Sequence, residues 1–162
     1  MPRRIIKNQR VIDDNYEIIT TQALDSTAPQ ANHLIPLPIW NTLIKDKQRP
    51  PIPAGLWLDS HEAPEDISGN PNQALIIAIN FPVFTDGRGY SLARLLRQQY
   101  HFTGELRAIG DIHRDQLYYL SRCGFDSFVL ADPAQSESAI ESLKDFSVAY
   151  QYAGDSPATV IR

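Results

Sequence analysis

Short apolar runs that alternate with helical patterns constrain the fold more than any other feature of this sequence. Each run ends at or near a polar residue or a glycine, and there are four of them: Leu56–Leu58, Leu75–Ile79, Leu106–Ile109 and Phe128–Leu130. A strand without polar alternation is buried on both faces, which is typical of a parallel sheet. The pattern predicts an α/β fold with a parallel sheet of βα units, either an open sheet or a partial β/α barrel.

Helical patterns follow three of these runs. Leucines recur at helical spacing on one face of residues 89–100. Asp111 is placed to cap a second helix that ends at Gly124, and Asp132 followed by Pro133 is placed to begin a third. Helix capping is therefore an alternative to catalysis for both aspartates.

The first 54 residues predict a small extension of β hairpin and helix. Strands are expected at Arg3–Ile6 and Arg10–Ile12, a further β-prone stretch at 16–20, and a helix that begins near Pro38. The proline-rich segment 49–53 predicts an extended linker. Residues 55–152 form the predicted βα core and 153–162 a flexible tail, all within one domain.

Composition limits the function classes. The net charge of −4 lacks the basic excess that is typical of nucleic-acid binding. No apolar run approaches the ~18 residues that span a bilayer, and no signal peptide is evident. The single cysteine, Cys123, allows no internal disulfide and suits a reducing compartment. We therefore expect a cytoplasmic protein without nucleic-acid or membrane partners.

In a parallel sheet, the residues just past each strand meet at one rim, where ligands usually bind. Asp59, Asp86 and Asp111 lie at such positions and are the predicted catalytic carboxylates. Hydrogen bonding within the loop is the alternative for Asp59.

The loop after the second core strand predicts an anion site, because it has two glycines and opens a helix. Free amides at a helix start attract oxyanions, and an arginine adds a bidentate contact. The predicted anion ligands are Thr85, Gly87, Arg88, Gly89, Ser91 and Arg114. The alternative is a turn in which Arg88 pairs with Asp86. No cysteine or histidine cluster has metal-ligand spacing, so no metal is predicted.

Several segments resemble a bacterial family, the domain-of-unknown-function family 934. They include Phe84–Ser91, Gly104–Asp111, Arg114–Leu117 and Arg122–Asp126. The resemblance covers about residues 34–151, with departures at Asn80, where an acidic residue is expected, and at His113. Members of the family are described as oxidoreductases involved in sulfite reduction, so the resemblance implies that role here.

One cysteine cannot hold an iron–sulfur cluster, which typically needs four thiolates, nor form a redox dithiol. The chain is therefore not itself a haem–iron–sulfur sulfite reductase, and its sequence indicates no particular cofactor. The leading hypothesis is an oxidoreductase or accessory component of sulfite reduction that binds a small oxyanion at the rim. The alternatives are a non-catalytic docking partner of a sulfur-assimilation enzyme, and an unrelated small-molecule enzyme that uses the rim carboxylates.

Overall fold

A computed structural model describes residues 3–19, 28–46 and 54–149, the last five of these by their backbone only. The predicted linker at 49–53 and tail at 153–162 lie outside these residues. The described strands form one mixed sheet in the order β2-β1-β8-β7-β6-β5-β4-β3. They are β1 (Arg3–Lys7), β2 (Arg10–Asp14), β3 (Glu17–Ile18), β4 (His33–Pro36), β5 (Gly55–Asp59), β6 (Ile76–Phe81), β7 (Glu105–Gly110) and β8 (Ser127–Phe128).

The α/β prediction is confirmed, but the sheet is not purely parallel. Strands β3 to β8 are parallel and follow chain order, as expected for βα units. The N-terminal hairpin β1–β2 extends this sheet, because β1 pairs antiparallel with β8. Strand β4 was not predicted, because its four residues lie in a stretch with prolines at positions 29, 36 and 38. Strand β8 ends two residues earlier than its apolar run.

The sheet curls into a half-barrel. Its two edge strands, β2 and β3, are consecutive in the chain and are joined by Asn15 and Tyr16 alone. Three peptide links of about 3.8 Å each keep the Cα atoms of Asp14 and Glu17 within roughly 11 Å. The sheet must therefore bend until its edges approach each other at this corner.

Helices cover the convex face of the sheet. They are α1 (Leu37–Lys45), α2 (Arg88–Gln98), α3 (Leu117–Cys123) and α4 (Ser136–Ala149). The core between helices and sheet centres on Trp40, Phe81 and Phe102, which are fully buried. Gly124 ends α3 as predicted, with a φ of 112° that favours glycine. Asp132 accepts a hydrogen bond from the amide of Ala134, as predicted for a cap.

The opposite, concave face carries a smaller apolar cluster and a buried ion pair. Leu34, Ile76, Ala78 and Ile109 form the cluster. Beside it, Nη1 of Arg107 lies 2.7 Å from Oδ1 of Asp14, and the two side chains are 3% and 2% exposed. Sequence reasoning missed this pair because Arg107 lies inside an otherwise apolar run. The pair ties the end of β2 to β7 across the concave face.

Candidate functional site

The carboxyl ends of β5, β6 and β7 place the predicted carboxylates on one rim. Asp59 and Asn80 are register partners at the ends of β5 and β6. Nδ2 of Asn80 donates to Oδ1 of Asp59 over 3.2 Å, and the amide of Ser60 donates to the same oxygen over 2.9 Å. Asp59 is therefore held by its own loop and by Asn80.

Glu62 completes this part of the rim. Its Oε2 accepts a hydrogen bond of 2.8 Å from the amide of Asp59. Burial raises the pKa of Glu62, although the Asp59 amide and the charge of His61 act in the opposite direction. The His61 ring lies 3.6 Å from Oδ2 of Asp59 and is largely exposed. These contacts place a second carboxyl group beside Asp59 at the end of β5.

Ser60, Asp86 and Arg88 form a hydrogen-bonded group that we call the Asp86 clamp. Arg88 holds Asp86 with two side-chain bonds, Nε to Oδ1 at 3.0 Å and Nη2 to Oδ2 at 2.7 Å. Oγ of Ser60 donates to Oδ2 over 2.7 Å. These bonds, with the amide of Arg88, hold the pKa of Asp86 far below its usual range. Pairing of Arg88 with Asp86, the alternative raised from the sequence, is what the structure shows.

The clamp also occupies the start of α2. The amide of Arg88 donates to Oδ1 of Asp86 over 3.1 Å, so a carboxylate of the chain already lies where an oxyanion was predicted. The side chain of Asp86 is only 8% exposed, whereas that of Arg88 is 60% exposed. The carboxylate of Asp86 therefore already binds the amide and part of the guanidinium of Arg88 that were predicted to bind an anion.

The two glycines of the loop do not serve the predicted purpose. Gly87 has an ordinary φ of −86°, and Gly89 lies in α2. A Cβ added to Gly89 would lie 2.5 Å from the ring of Phe81, so this glycine lets the helix pack closely on the sheet. Neither glycine uses the conformational freedom that the sequence analysis noted for this loop.

The side chains of Thr85, Ser91 and Arg114, also predicted as anion ligands, are not bonded to the clamp. Thr85 and Ser91 are exposed. Arg114 is also exposed, and its Nε lies 4.0 Å from Oδ1 of Asp115. Among the described residues, no hydrogen bond or ion pair joins any of these three side chains to Arg88. The structure therefore brings together Ser60, Asp86 and Arg88, but not the wider set.

Asp111 does not cap the helix that follows it. Its Oδ2 accepts from the amide of Phe84 over 3.0 Å, and its Oδ1 lies 2.7 Å from Nε2 of His113. The amide of His113 instead donates to Oε1 of Gln116, at the 3₁₀ turn that precedes α3. Asp111 thus fixes the loop after β6 rather than a helix start.

The loop after β6 exposes apolar side chains that sequence reasoning missed. Val83 is 52% exposed and Phe84 is 56% exposed. Together with Pro82 they form what we call the Phe84 tip. The sequence signal for it is the presence of apolar residues beyond the end of the β6 strand, in a loop otherwise rich in polar groups.

The rim is strongly acidic. We define the acidic rim as residues 59–62, 80–91, 110–116 and 129–133, which lie at or just after the carboxyl ends of β5 to β8. Its charged side chains include two arginines, Arg88 and Arg114, and six carboxylates, which are Asp59, Glu62, Asp86, Asp111, Asp115 and Asp132. Their excess equals the net charge of −4 of the whole chain. Within the described residues, no group of His, Cys, Asp or Glu could hold a metal ion.

Comparison with known proteins adds the family. Residues 55–161 match the model of a family described as "Bacterial protein of unknown function (DUF934)". The matched part includes the Asp86 clamp, the Phe84 tip and the whole acidic rim. No curated protein matches the sequence. Among the described helices, none has the length and apolar character needed to cross a membrane.

Proposed function

The chain belongs to the bacterial family DUF934, and we propose that it is a cytoplasmic accessory protein of assimilatory sulfite reduction that binds another protein of that pathway. The link to sulfite reduction comes from the family resemblance, because members of the family are described as oxidoreductases involved in sulfite reduction. The binding role, rather than catalysis, is supported by the geometry of the rim. One observation carries it: the carboxylate of Asp86 already takes the guanidinium of Arg88 and the first amide of α2.

The charge of the acidic rim supports the same choice. Sulfite, sulfate and phosphate are anions, and a surface with an excess of carboxylates lowers their local concentration. The same charge disfavours nucleic acid as a partner. Binding of a protein partner does not require a vacant anion site. The loop after β6, which the clamp holds in place, presents the exposed apolar side chains of Val83 and Phe84.

Growth of a deletion strain tests the pathway. We expect the strain to grow slowly on sulfate or sulfite as sole sulfur source and normally on cysteine. Normal growth on sulfite would contradict a role in sulfite reduction. Affinity purification of the tagged wild-type protein then tests the binding role: sulfite reductase or another enzyme of the pathway should be retained, and failure to retain any of them would contradict it.

Oxyanion binding remains a second candidate, since Arg88 is 60% exposed and its Nη1 makes no hydrogen bond within the described residues. Calorimetric titration with sulfite, sulfate, phosphate and flavin tests it. Saturable binding that is lost in Arg88→Ala but retained in the control Arg10→Ala, an exposed arginine of β2, would favour this candidate. Absence of binding would favour the docking role.

A further inference from the structure

The Phe84 tip is unusual because its large apolar side chains face solvent from a hydrogen-bonded loop. More than half of Val83 and of Phe84 is exposed. Apolar side chains at the centre of an interface are typical anchors, and aromatic residues are enriched there.

The loop that carries the tip is fixed on both sides. On one side, Asp111 accepts from the amide of Phe84, and Nε2 of Gln116 donates to the carbonyl of Phe84 over 3.2 Å. On the other, Asp86 is held by Ser60 and Arg88. A preorganised anchor loses little conformational freedom on binding, which favours affinity.

Aromatic groups extend the surface beyond the tip. The ring of His113 lies 5.7 Å from that of Phe84. Gln116 also donates to the hydroxyl of Tyr90, whose ring lies 5.0 Å from that of Tyr119. Tyr119 is 47% exposed. The exposed aromatic surface therefore reaches from the tip to the start of α3.

The charge around this surface identifies the partner's chemistry. The tip lies within the acidic rim, whose carboxylates outnumber its arginines by six to two. Two copies of this chain joined through the tip would bring like charges together, which disfavours self-association. A partner with basic side chains around an apolar pocket would complement both the charge and the apolar centre.

We propose that the Phe84 tip and the acidic rim form a docking surface for a protein that presents an apolar pocket surrounded by lysine and arginine. This inference rests on the proposed function for the choice of a protein partner, and it adds the surface and the chemistry. Phe84 is the central anchor, and the carboxylates of the rim provide long-range attraction and orientation.

Photocrosslinking in cells that express the protein tests the docking surface. A photoreactive phenylalanine analogue replaces Phe84 in the full chain and, as a matched control, Leu75, which is 54% exposed and precedes β6 at the opposite end of the strand. We expect position 84 to cross-link to a peptide that carries lysine or arginine beside apolar residues, and position 75 not to do so. The purified complex should weaken as NaCl is raised from low to high concentration.

Affinity of the purified complex gives the second readout. Phe84→Ala should weaken binding about tenfold or more, the loss typical of an aromatic anchor, while Leu75→Ala should bind as the wild type does. Both side chains are exposed, so neither change should impair folding. Equal binding by Phe84→Ala, no cross-link from position 84, an acidic cross-linked peptide, or a cross-link to a second copy would overturn the inference.

The outcomes separate the two proposals. If a pathway enzyme is retained but Phe84 is neither cross-linked nor needed, the docking surface is wrong and the proposed function stands. If position 84 cross-links to a basic surface of a protein outside sulfur metabolism, the surface stands and the proposed function is wrong.

Discussion

Arg107→Met should strongly destabilise the fold, because it removes the cation of a buried ion pair. The side chain of Arg107 is 3% exposed and that of Asp14 is 2% exposed. Nη2 of Arg107 also lies 3.0 Å from Oε1 of Glu105. The guanidinium packs against the ring of Tyr16, with 4.9 Å between Cζ of Arg107 and the ring centroid. Methionine preserves much of the side-chain length but leaves the carboxylate of Asp14 buried without its main partner.

The size of the expected loss in stability depends on the partners that Asp14 keeps. Breaking a buried pair by removing one partner costs about 3–5 kcal/mol. Asp14 would keep the amide of Tyr16, at 3.0 Å, and the more distant Arg3, at 3.8 Å. We therefore expect a loss of about 3 kcal/mol in the free energy of unfolding, at the lower end of that range.

Urea unfolding at pH 7, followed by the fluorescence of Trp40 and Trp57, measures this loss. The control Arg114→Met removes an arginine that is 46% exposed and should change stability by at most about 0.5 kcal/mol. Adding Asp14→Asn to Arg107→Met should recover part of the loss, because no unpaired charge then remains at position 14. A loss below about 1 kcal/mol, or no recovery in the double variant, would refute the reasoning.

Glu105 adds a pH dependence to the same experiment. Burial raises the pKa of Glu105, but Lys7, Ser127 and Arg107 outweigh burial and hold it below its usual value. A lowered pKa in the folded state gives stability that is present above the unfolded-state pKa and is lost as the pH falls through the folded-state pKa. Arg107→Met removes one of these groups, so its stability should depend less on pH in the acidic range.

Three further predictions concern the rim and the core. Gly89→Ala should cost about 1–3 kcal/mol in thermal unfolding through overpacking, whereas Gly87→Ala, whose Cβ meets nothing within 4 Å, should be nearly neutral; equal effects would contradict the packing role. Arg88→Ala should raise the pKa of Asp86 towards its usual value in a carboxyl-detected NMR titration, and an unchanged pKa would show that Arg88 does not lower the pKa of Asp86. Cys123 is 2% exposed and burial raises its pKa, so a thiol reagent should modify it only as fast as the protein unfolds; rapid modification of the native protein would contradict its burial.

The sequence was informative where local rules decide structure. The apolar runs predicted β5, β6 and β7. Gly124 marked the end of α3, and Asp132 marked the start of the turn that leads into α4, because caps depend on neighbouring residues. The antiparallel pairing of β1 with β8 was not predictable in this way, since the two strands lie far apart in the chain and no local pattern specifies their contact.

The site shows the same division. Asp86 and Arg88 are two residues apart, so their pairing could be raised as an alternative from spacing alone. The fixing of Phe84 by Asp111 depends on the adjacency of β6 and β7, and the burial of Arg107 depends on Asp14 reaching it across the curled sheet. An arginine in an apolar run gives no sign of a distant carboxylate partner.

The junction of β1 with β8 has a consequence for how the chain is made. Ile6 leaves the ribosome long before its partner Phe128 is synthesised. The hairpin β1–β2 therefore cannot pair with β8 until that strand has been synthesised, and contacts so far apart in sequence form slowly. During synthesis, β4 to β7 can associate in chain order before β1 can pair with β8.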